Sequence, residues 1–393
     1  MSRTLNRFPR NDIMSLTAGA PRYDLAESIG PDLRLRALLH GGDATPAPEG
    51  PGEGLEGLGG LALSYGTTAG DPALRRAIAA AHGAAADDVV VTVGGMHALF
   101  LLAFILCRPG DEAVTTSPLF PNAMNALTAV GADVKTLPVS FDDGYRLDLA
   151  ALRSLLSPRT KLVCLATPQN PSGVAIPPGT VQRILTMMAA ICPEAYLLAD
   201  ETYRQAVYGD EEAAPSMLSL SPRVVSCASL SKCHGAPGLR LGWAITRDPA
   251  LREQLILGKF NTVIACSRAD EALALRVFKR EAEIVGERRR RLSEGLARTA
   301  EWVQANGDLL DWVCPDAGAL CCLRLKPAAF DDAAVARFYD AMARHDVRVA
   351  NGTWFGDEAR VFRLGFGLLE MDDLDEGLRA LSACLALAQK KAA

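Results

Sequence analysis

The chain of 393 residues lacks a basic excess, a bilayer-length apolar run, a metal-spaced cysteine pair and an internal repeat. Each absence removes a class of function. A net charge of −5 offers no broad positive field, so nucleic acid is not an expected partner. The basic cluster Arg288 to Arg291 falls in a helix-like stretch and reads as a solvated helix face rather than a binding patch. The apolar stretch ALFLLAFILC is too short to span a bilayer, and the opening MSRTLNRFPRND has no apolar signal core. No membrane is therefore expected, and the expected compartment is the cytosol. The ten cysteines are scattered, many inside apolar runs, and read as buried free thiols rather than zinc ligands or a disulfide framework.

What is present is the composition of a packed globular protein, with 49% hydrophobic and 22% charged residues. The length favours two domains, or one large domain with a smaller companion. Residues 43–60, DATPAPEGPGEGLEGLGG, have no apolar period and read as a lid or a plain linker. From DPALRRAIAAAHG onward, helical periods alternate with short apolar runs: DVVVTV, EAVTTS, ADVKTL, KLVCLAT, AYLLADE, RVVSCAS and LGWAIT. Continuous apolar strands separated by helices predict an α/β fold with a mostly parallel central sheet and helices on both faces. After Asp248 the pattern is helical for about fifty residues, which predicts one long, kinked helix leaving the sheet. The strands GALCCLRLK and RVFRLGFG, interleaved with helical stretches, predict a smaller α+β domain that takes in the N-terminal arm. The expected division is an arm and Gly/Pro-rich segment over 1–60, a large domain over 61–285 and a small one over 286–393.

In open α/β sheets, ligands sit at the carboxyl ends of strands, and the polar oddities of this sequence fall there. Gly94, Gly95 and Met96 follow DVVVTV and open a helix, a pattern shared by a phosphate cup and an ordinary tight turn. Asp200 closes an apolar strand with Tyr203 just beyond, so the carboxylate needs a partner, structural or functional. Asn170 lies in the turn PQNPSG, which turn chemistry alone would explain. The stretch SLSKCHGAPGLRLGW holds Ser229, Ser231, Lys232 and Arg240 around two glycines. A lysine enclosed with cations and little water loses proton affinity, as a Schiff-base lysine requires, and the arginine fork suits phosphate. A cofactor bearing both a carbonyl and a phosphate would use every part.

These residues, in this order, resemble the class I/II aminotransferases, pyridoxal-phosphate enzymes of fold type I, over roughly Tyr23 to Arg363. The resemblance implies pyridoxal 5'-phosphate as cofactor, with Lys232 forming the Schiff base and later moving the proton at the substrate Cα. It implies that Asp200 holds the pyridine nitrogen, that Tyr203 and Asn170 bond the ring oxygen, and that Phe120 of TTSPLFPNAMNAL stacks on the ring. Ser229 and Arg240 match the phosphate ligands, and Gly94, Gly95 and Met96 match the phosphate cup. Met96 replaces the commoner serine or threonine, so a side-chain contact is lost there. Tyr65 of LSYGTTAGDP matches the tyrosine that reaches the neighbouring subunit's phosphate, implying a homodimer with shared sites. Arg363 of RVFRLGFG matches the clamp on the substrate α-carboxylate, its alternative being a solvent-facing strand arginine.

The arm YDLAESIGPDLRLRALL and the stretch KCHGAPGLRLGW are most similar to a branch that includes capreomycidine synthase-type enzymes. Members of that branch eliminate, cyclise or oxidise as well as transaminate. His234, Ala236 and Gln169 depart from the commoner residues and have no assigned role. The expected activity is amino transfer between an amino acid and a 2-oxo acid. The alternatives are a cyclase, lyase or oxidase using the same cofactor, and a ligand sensor on the same fold, against which the lack of a helix-turn-helix pattern argues. The loop NGTWFG, with Trp354 and Phe355, is expected near the ligand.

Overall fold

The computed structural model describes residues 11–17, 19–40, 58 and 60–389. The Gly/Pro-rich stretch 43–60 therefore lies outside the described residues except at two positions. The strands in chain order are β1 (Tyr23–Asp24), β2 (Val89–Thr92), β3 (Glu112–Ser117), β4 (Asp133–Pro138), β5 (Thr160–Ala166), β6 (Tyr196–Asp200), β7 (Val224–Ser229) and β8 (Gly242–Thr246). They continue with β9 (Leu310–Val313), β10 (Leu320–Leu325), β11 (Val347–Arg348), β12 (Ala350–Asn351) and β13 (Val361–Gly365).

Seven strands form the large sheet in the order β2-β8-β7-β6-β5-β3-β4. Only β8 runs against its neighbours; the remaining pairs are parallel. The apolar runs are continuous because both faces are covered. In β5, Leu162 and Cys164 enter one core while Val163 and Leu165 enter the opposite one. Tyr196 and Leu198 of β6 divide in the same way from Leu197 and Ala199. β4, at the sheet edge, buries only Leu137.

Aspartate–proline pairs start two of the covering helices. Asp71 Oδ1 accepts from the amides of Ala73 and Leu74 at 2.8 and 3.0 Å, opening Pro72–His82. Asp248 does the same for Ala250 and Leu251, opening Pro249–Val263. The single long helix expected after Asp248 is three helices, Pro249–Val263, Arg268–Lys279 and Glu281–Ala305. The first break is Ile264, whose φ of +62° cannot continue a right-handed helix, and Ser267 then caps the next helix.

The second sheet is antiparallel, in the order β12-β13-β10-β9. Its core joins Leu323 and Phe362 to Phe338, Leu378 and Leu381 of two covering helices, Asp332–Met342 and Met371–Gln389. The N-terminal arm docks here, with β1 pairing in parallel with β11. Beyond β1, the Gly365 amide donates to the Leu25 carbonyl at 2.7 Å. A methyl group at Gly365 would stand 1.7 Å from the Glu27 carbonyl oxygen, so only glycine permits this approach.

The run Arg288 to Arg291 is not a solvated face. Arg288 donates to the Pro31 carbonyl, Arg289 to Gln205 at 3.1 Å and Arg291 to Leu369 at 2.5 Å; only Arg290 faces solvent, paired with Glu287. Three of the four cations thus tie the long helix to three separate loops. All ten cysteines are free; nine are buried, and Cys314 departs from expectation in being exposed. Among the described residues no helix is long and apolar enough to cross a membrane.

Candidate active site

Strands β5, β6 and β7 end side by side, with Ala166 opposite Asp200 and Asp200 opposite Cys227. Beyond these ends lies a cavity of about 410 Å³. Its wall includes Gly95, Met96, Phe120, Asn170, Asp200, Tyr203, Ser229, Lys232 and Arg240, which come from five separate loops. Gln169 also lines it, held by a 2.6 Å bond from the Ser172 hydroxyl to its Oε1.

One end of the cavity gathers groups that could hold an anion. The helix Gly94–Leu106 begins without a side-chain cap, which leaves first-turn amides as donors. Arg240 adopts a left-handed conformation, φ 49°, and is pinned by a 2.8 Å bond from Nη1 to the Pro237 carbonyl. Its guanidinium covers Gly94, where a Cβ would lie 2.5 Å from Nη2. Gly94 itself has φ +72°, so both backbone and contact demand glycine. Ser229 and Ser231 complete this end, joined by a 3.3 Å bond from the Ser231 amide to the Ser229 hydroxyl.

The other end is titratable. Asp200 accepts from the Thr202 hydroxyl at 2.6 Å and the Thr202 amide at 3.1 Å. Burial pushes its carboxyl up, against the Thr202 bonds and the Lys232 charge, which pull it down. Burial likewise lifts the Tyr203 phenol to about 12, keeping it a proton donor. Lys232 moves the opposite way. Burial first, then the Arg363 charge, lowers its ammonium to about 8, with Glu27 and Asp200 opposing.

Arg363 does not line the cavity. It is 1% exposed, so it is no solvent-facing strand residue. Its Nη1 donates to Asn170 Oδ1 at 2.8 Å and Nη2 to the Ala26 carbonyl, while Nε has no hydrogen-bond partner among the described residues. The Phe355 ring stacks 4.7 Å from its Cζ. Thus NGTWFG reaches the site through Arg363; neither Trp354 nor Phe355 lines the cavity. Tyr65 is 79% exposed and also lies off the wall. His234 turns away, its Nε2 3.0 Å from Glu281 Oε1 and its ring 5.5 Å from Phe278. Ala236 is buried in a core cluster.

Two residues at the site escape sequence reasoning. Thr202 had a signal, since Asp-x-Thr is a local turn pattern in which the side chains bond each other. Ser28 had none: it lies 175 residues from Tyr203 and 204 from Lys232 in sequence, yet bonds both.

The sequence profile of the aminotransferase class I and II family matches residues 11–381. The chain belongs to this family. It is similar to capreomycidine synthase of Streptomyces vinaceus, 31% identical over 330 residues, covering 84% of this chain and 82% of that one. It is equally similar to an arginine–pyruvate transaminase of Pseudomonas aeruginosa, 31% identical over 343 residues and 82% of each chain. A pyridoxal-phosphate-dependent aminotransferase from Streptococcus suis has the same architecture, with a TM-score of 0.86 at 25% identity over 98% of this chain and 99% of that one. The pyridoxal-phosphate-dependent cyclase OrfR superposes with a TM-score of 0.82 at 26% identity, again over 98% and 99%.

The family member described here is a pyridoxal-phosphate enzyme of fold type I. The residues present fit that cofactor. The anion end offers amides, two hydroxyls and a guanidinium, and the far end offers a half-buried carboxylate that a cation would stabilise and an amine of reduced basicity.

Proposed function

We propose that the protein transfers an amino group between an amino acid and a 2-oxo acid, with pyridoxal phosphate held covalently at Lys232 Nζ. The observation that carries this is the meeting of Lys232, Asp200 and Tyr203 with the anion end on one cavity wall. When bound, the cofactor supplies an electron sink for the electrons of a broken Cα–H bond. With its ammonium near 8, Lys232 offers a neutral amine at modestly alkaline pH, first as nucleophile and then as the base that takes and returns the Cα proton. The half-buried Asp200 carboxylate is ready to hold a proton at a cationic ring nitrogen, whose charge offsets the carboxylate's partial desolvation. Tyr203, kept protonated, donates to a phenolic oxygen, and Asn170 supports it from the adjoining turn. Gly95, Met96, Ser229 and Arg240 hold the phosphate, with Gly94 giving Arg240 its place. Phe120 covers the ring face. Arg363 receives the substrate carboxylate by exchanging its Asn170 and Ala26 partners, its Nε, unpartnered among the described residues, being the first donor available.

A homodimer accompanies this reading. Phe104, Leu257, Phe260 and Ile264 are exposed on or beside two helices that pack together, and Leu63 and Tyr65 are exposed on the segment before Pro72–His82. Apolar exposure of this kind suits a second copy of the chain, placing Tyr65 toward the partner's site.

Borohydride reduction of cofactor-loaded protein followed by peptide mapping tests the covalent claim, and an unmodified Lys232 overturns it. A second reading, cyclisation of the amino acid's own side chain, is favoured by the likeness to capreomycidine synthase and to OrfR. Incubation with a panel of amino acids, with and without a 2-oxo acid, separates the two. Amino transfer requires the 2-oxo acid and yields a new amino acid; cyclisation consumes one substrate and yields a ring without it.

A further inference from the structure

Ser28 belongs to the arm, yet its hydroxyl sits between the two key groups of the large sheet. Tyr203 Oη donates to Ser28 Oγ at 3.0 Å, and Lys232 Nζ donates to the same oxygen at 3.1 Å. Ser28 is 3% exposed and lies on the wall of a small second space of about 20 Å³, which also touches Tyr203, Lys232, Cys233 and Arg288. That volume holds about one water. Lys232 therefore lines both spaces, and Ser28 lines the smaller one.

The serine is firmly presented. On one side of it Gly365 admits the Glu27 carbonyl, and on the other a Cβ at Gly367 would lie 3.2 Å from the Ile29 carbonyl oxygen. The Leu33 amide further on donates to the Gly235 carbonyl at 2.8 Å, tying the arm to the turn that follows Lys232. Backbone contacts before and after Ser28 thus fix the main chain that presents its hydroxyl.

We propose that Ser28 is a positioning residue, holding Lys232 Nζ in one place in both its protonation states. A hydroxyl accepts from an ammonium and donates to a neutral amine, which neither a carboxylate nor an amide carbonyl can do. While Lys232 is charged, Ser28 Oγ accepts from it. Once Lys232 has given up its proton, Ser28 turns its own hydrogen to Nζ. In cofactor-free protein Tyr203 continues to donate to Oγ, and where a phenolic oxygen takes the Tyr203 hydrogen instead, the bond between Ser28 and Nζ remains. No net proton passes along the chain, so no tyrosinate forms. The amine stays aimed at the cofactor cavity instead of swinging into the space behind it.

This rests on the reading of Lys232 as the cofactor-bearing lysine, and its test separates the two. In cofactor-free protein, trace labelling with acetic anhydride across pH, read by mass spectrometry, gives the titration midpoint of Lys232. The bond Ser28 accepts from the ammonium is charge-assisted and stronger than the one it donates to the neutral amine, so in Ser28→Ala the midpoint falls by roughly half a unit to one unit. The Ser28→Ala and Tyr203→Phe shifts are non-additive, because both act through one oxygen. In loaded enzyme, kcat falls about tenfold for Ser28→Ala while KM stays within about twofold. An unmoved midpoint, or additive shifts, overturns the proposal while borohydride capture at Lys232 still succeeds in the parent protein. Failure of that capture overturns the proposed function, and the role of Ser28 with it.

Discussion

Lys232 is built at the expense of stability, and replacing it with methionine exposes that cost. Its ammonium titrates at about 8 rather than at the ordinary 10.5, chiefly because burial penalises its charge. At roughly 1.4 kcal/mol per pH unit this amounts to about 3 kcal/mol, an upper figure because the side chain is open to the cavity on one side. Below about pH 8 both folded and unfolded chains carry the proton, and the folded state bears the whole penalty. Between about 8 and 10.5 the unfolded chain binds more protons than the folded one, so stability rises with pH. Above that range the penalty is gone. Methionine has nearly the same volume and no charge, so Lys232→Met in cofactor-free protein is more stable near pH 7, by up to about 3 kcal/mol, and the advantage shrinks toward about pH 10. Urea unfolding of both proteins at the two pH values measures it. A difference that is constant with pH, or a less stable methionine variant near neutrality, refutes the reasoning. Cofactor-free protein is essential, because a bound ligand stabilises the parent by mass action.

Gly94→Ala places a side chain at φ +72° and 2.5 Å from the Arg240 guanidinium, so pyridoxal phosphate binding weakens about tenfold or more; fluorescence titration reads the change. Gly365→Ala drives a methyl group into the Glu27 carbonyl and displaces the arm, with a loss of about 1–3 kcal/mol in chemical denaturation and faster proteolysis before Leu25. Glu112 is 1% exposed and bonds Lys135 at 2.7 Å and Arg159 at 2.5 Å, and Glu112→Gln costs about 1–3 kcal/mol by thermal unfolding. Burial pushes the Glu112 carboxyl up, but Lys135, Ser157 and Arg159 outweigh it and hold it below the ordinary range. Its contribution is therefore present at neutral pH and lost as pH falls through the depressed value, so the stability curves of the parent and the Glu112→Gln variant converge in acid.

Much of this protein is legible in its residue order because local rules write it. Apolar runs between helical periods specify strands covered on two faces, and Leu162 to Leu165 show why: alternate side chains enter different cores, so no polar position remains to mark the strand. The turns after β2, β5, β6 and β7 announce themselves by glycine, asparagine, tyrosine and lysine in places where plain apolar residues would be cheaper. Those signals are short-range, since a turn or a strand end depends on its own few residues. What they leave open is every relation formed at a distance. Arg288 to Arg291 look like a solvated stripe until the loops they staple are in place. Arg363 looks like a free clamp until Asn170, Ala26 and Phe355 surround it. Ser28 has no local signature at all, because its partners lie just beyond strand ends of another sheet, brought to it by the glycine-lined docking of the arm. The amino-acid order alone marked the groups at the strand ends, Asp200, Tyr203, Lys232 and Arg240 among them. Folding decided which of them touch, because burial and hydrogen bonding between distant segments exist only after the segments have packed.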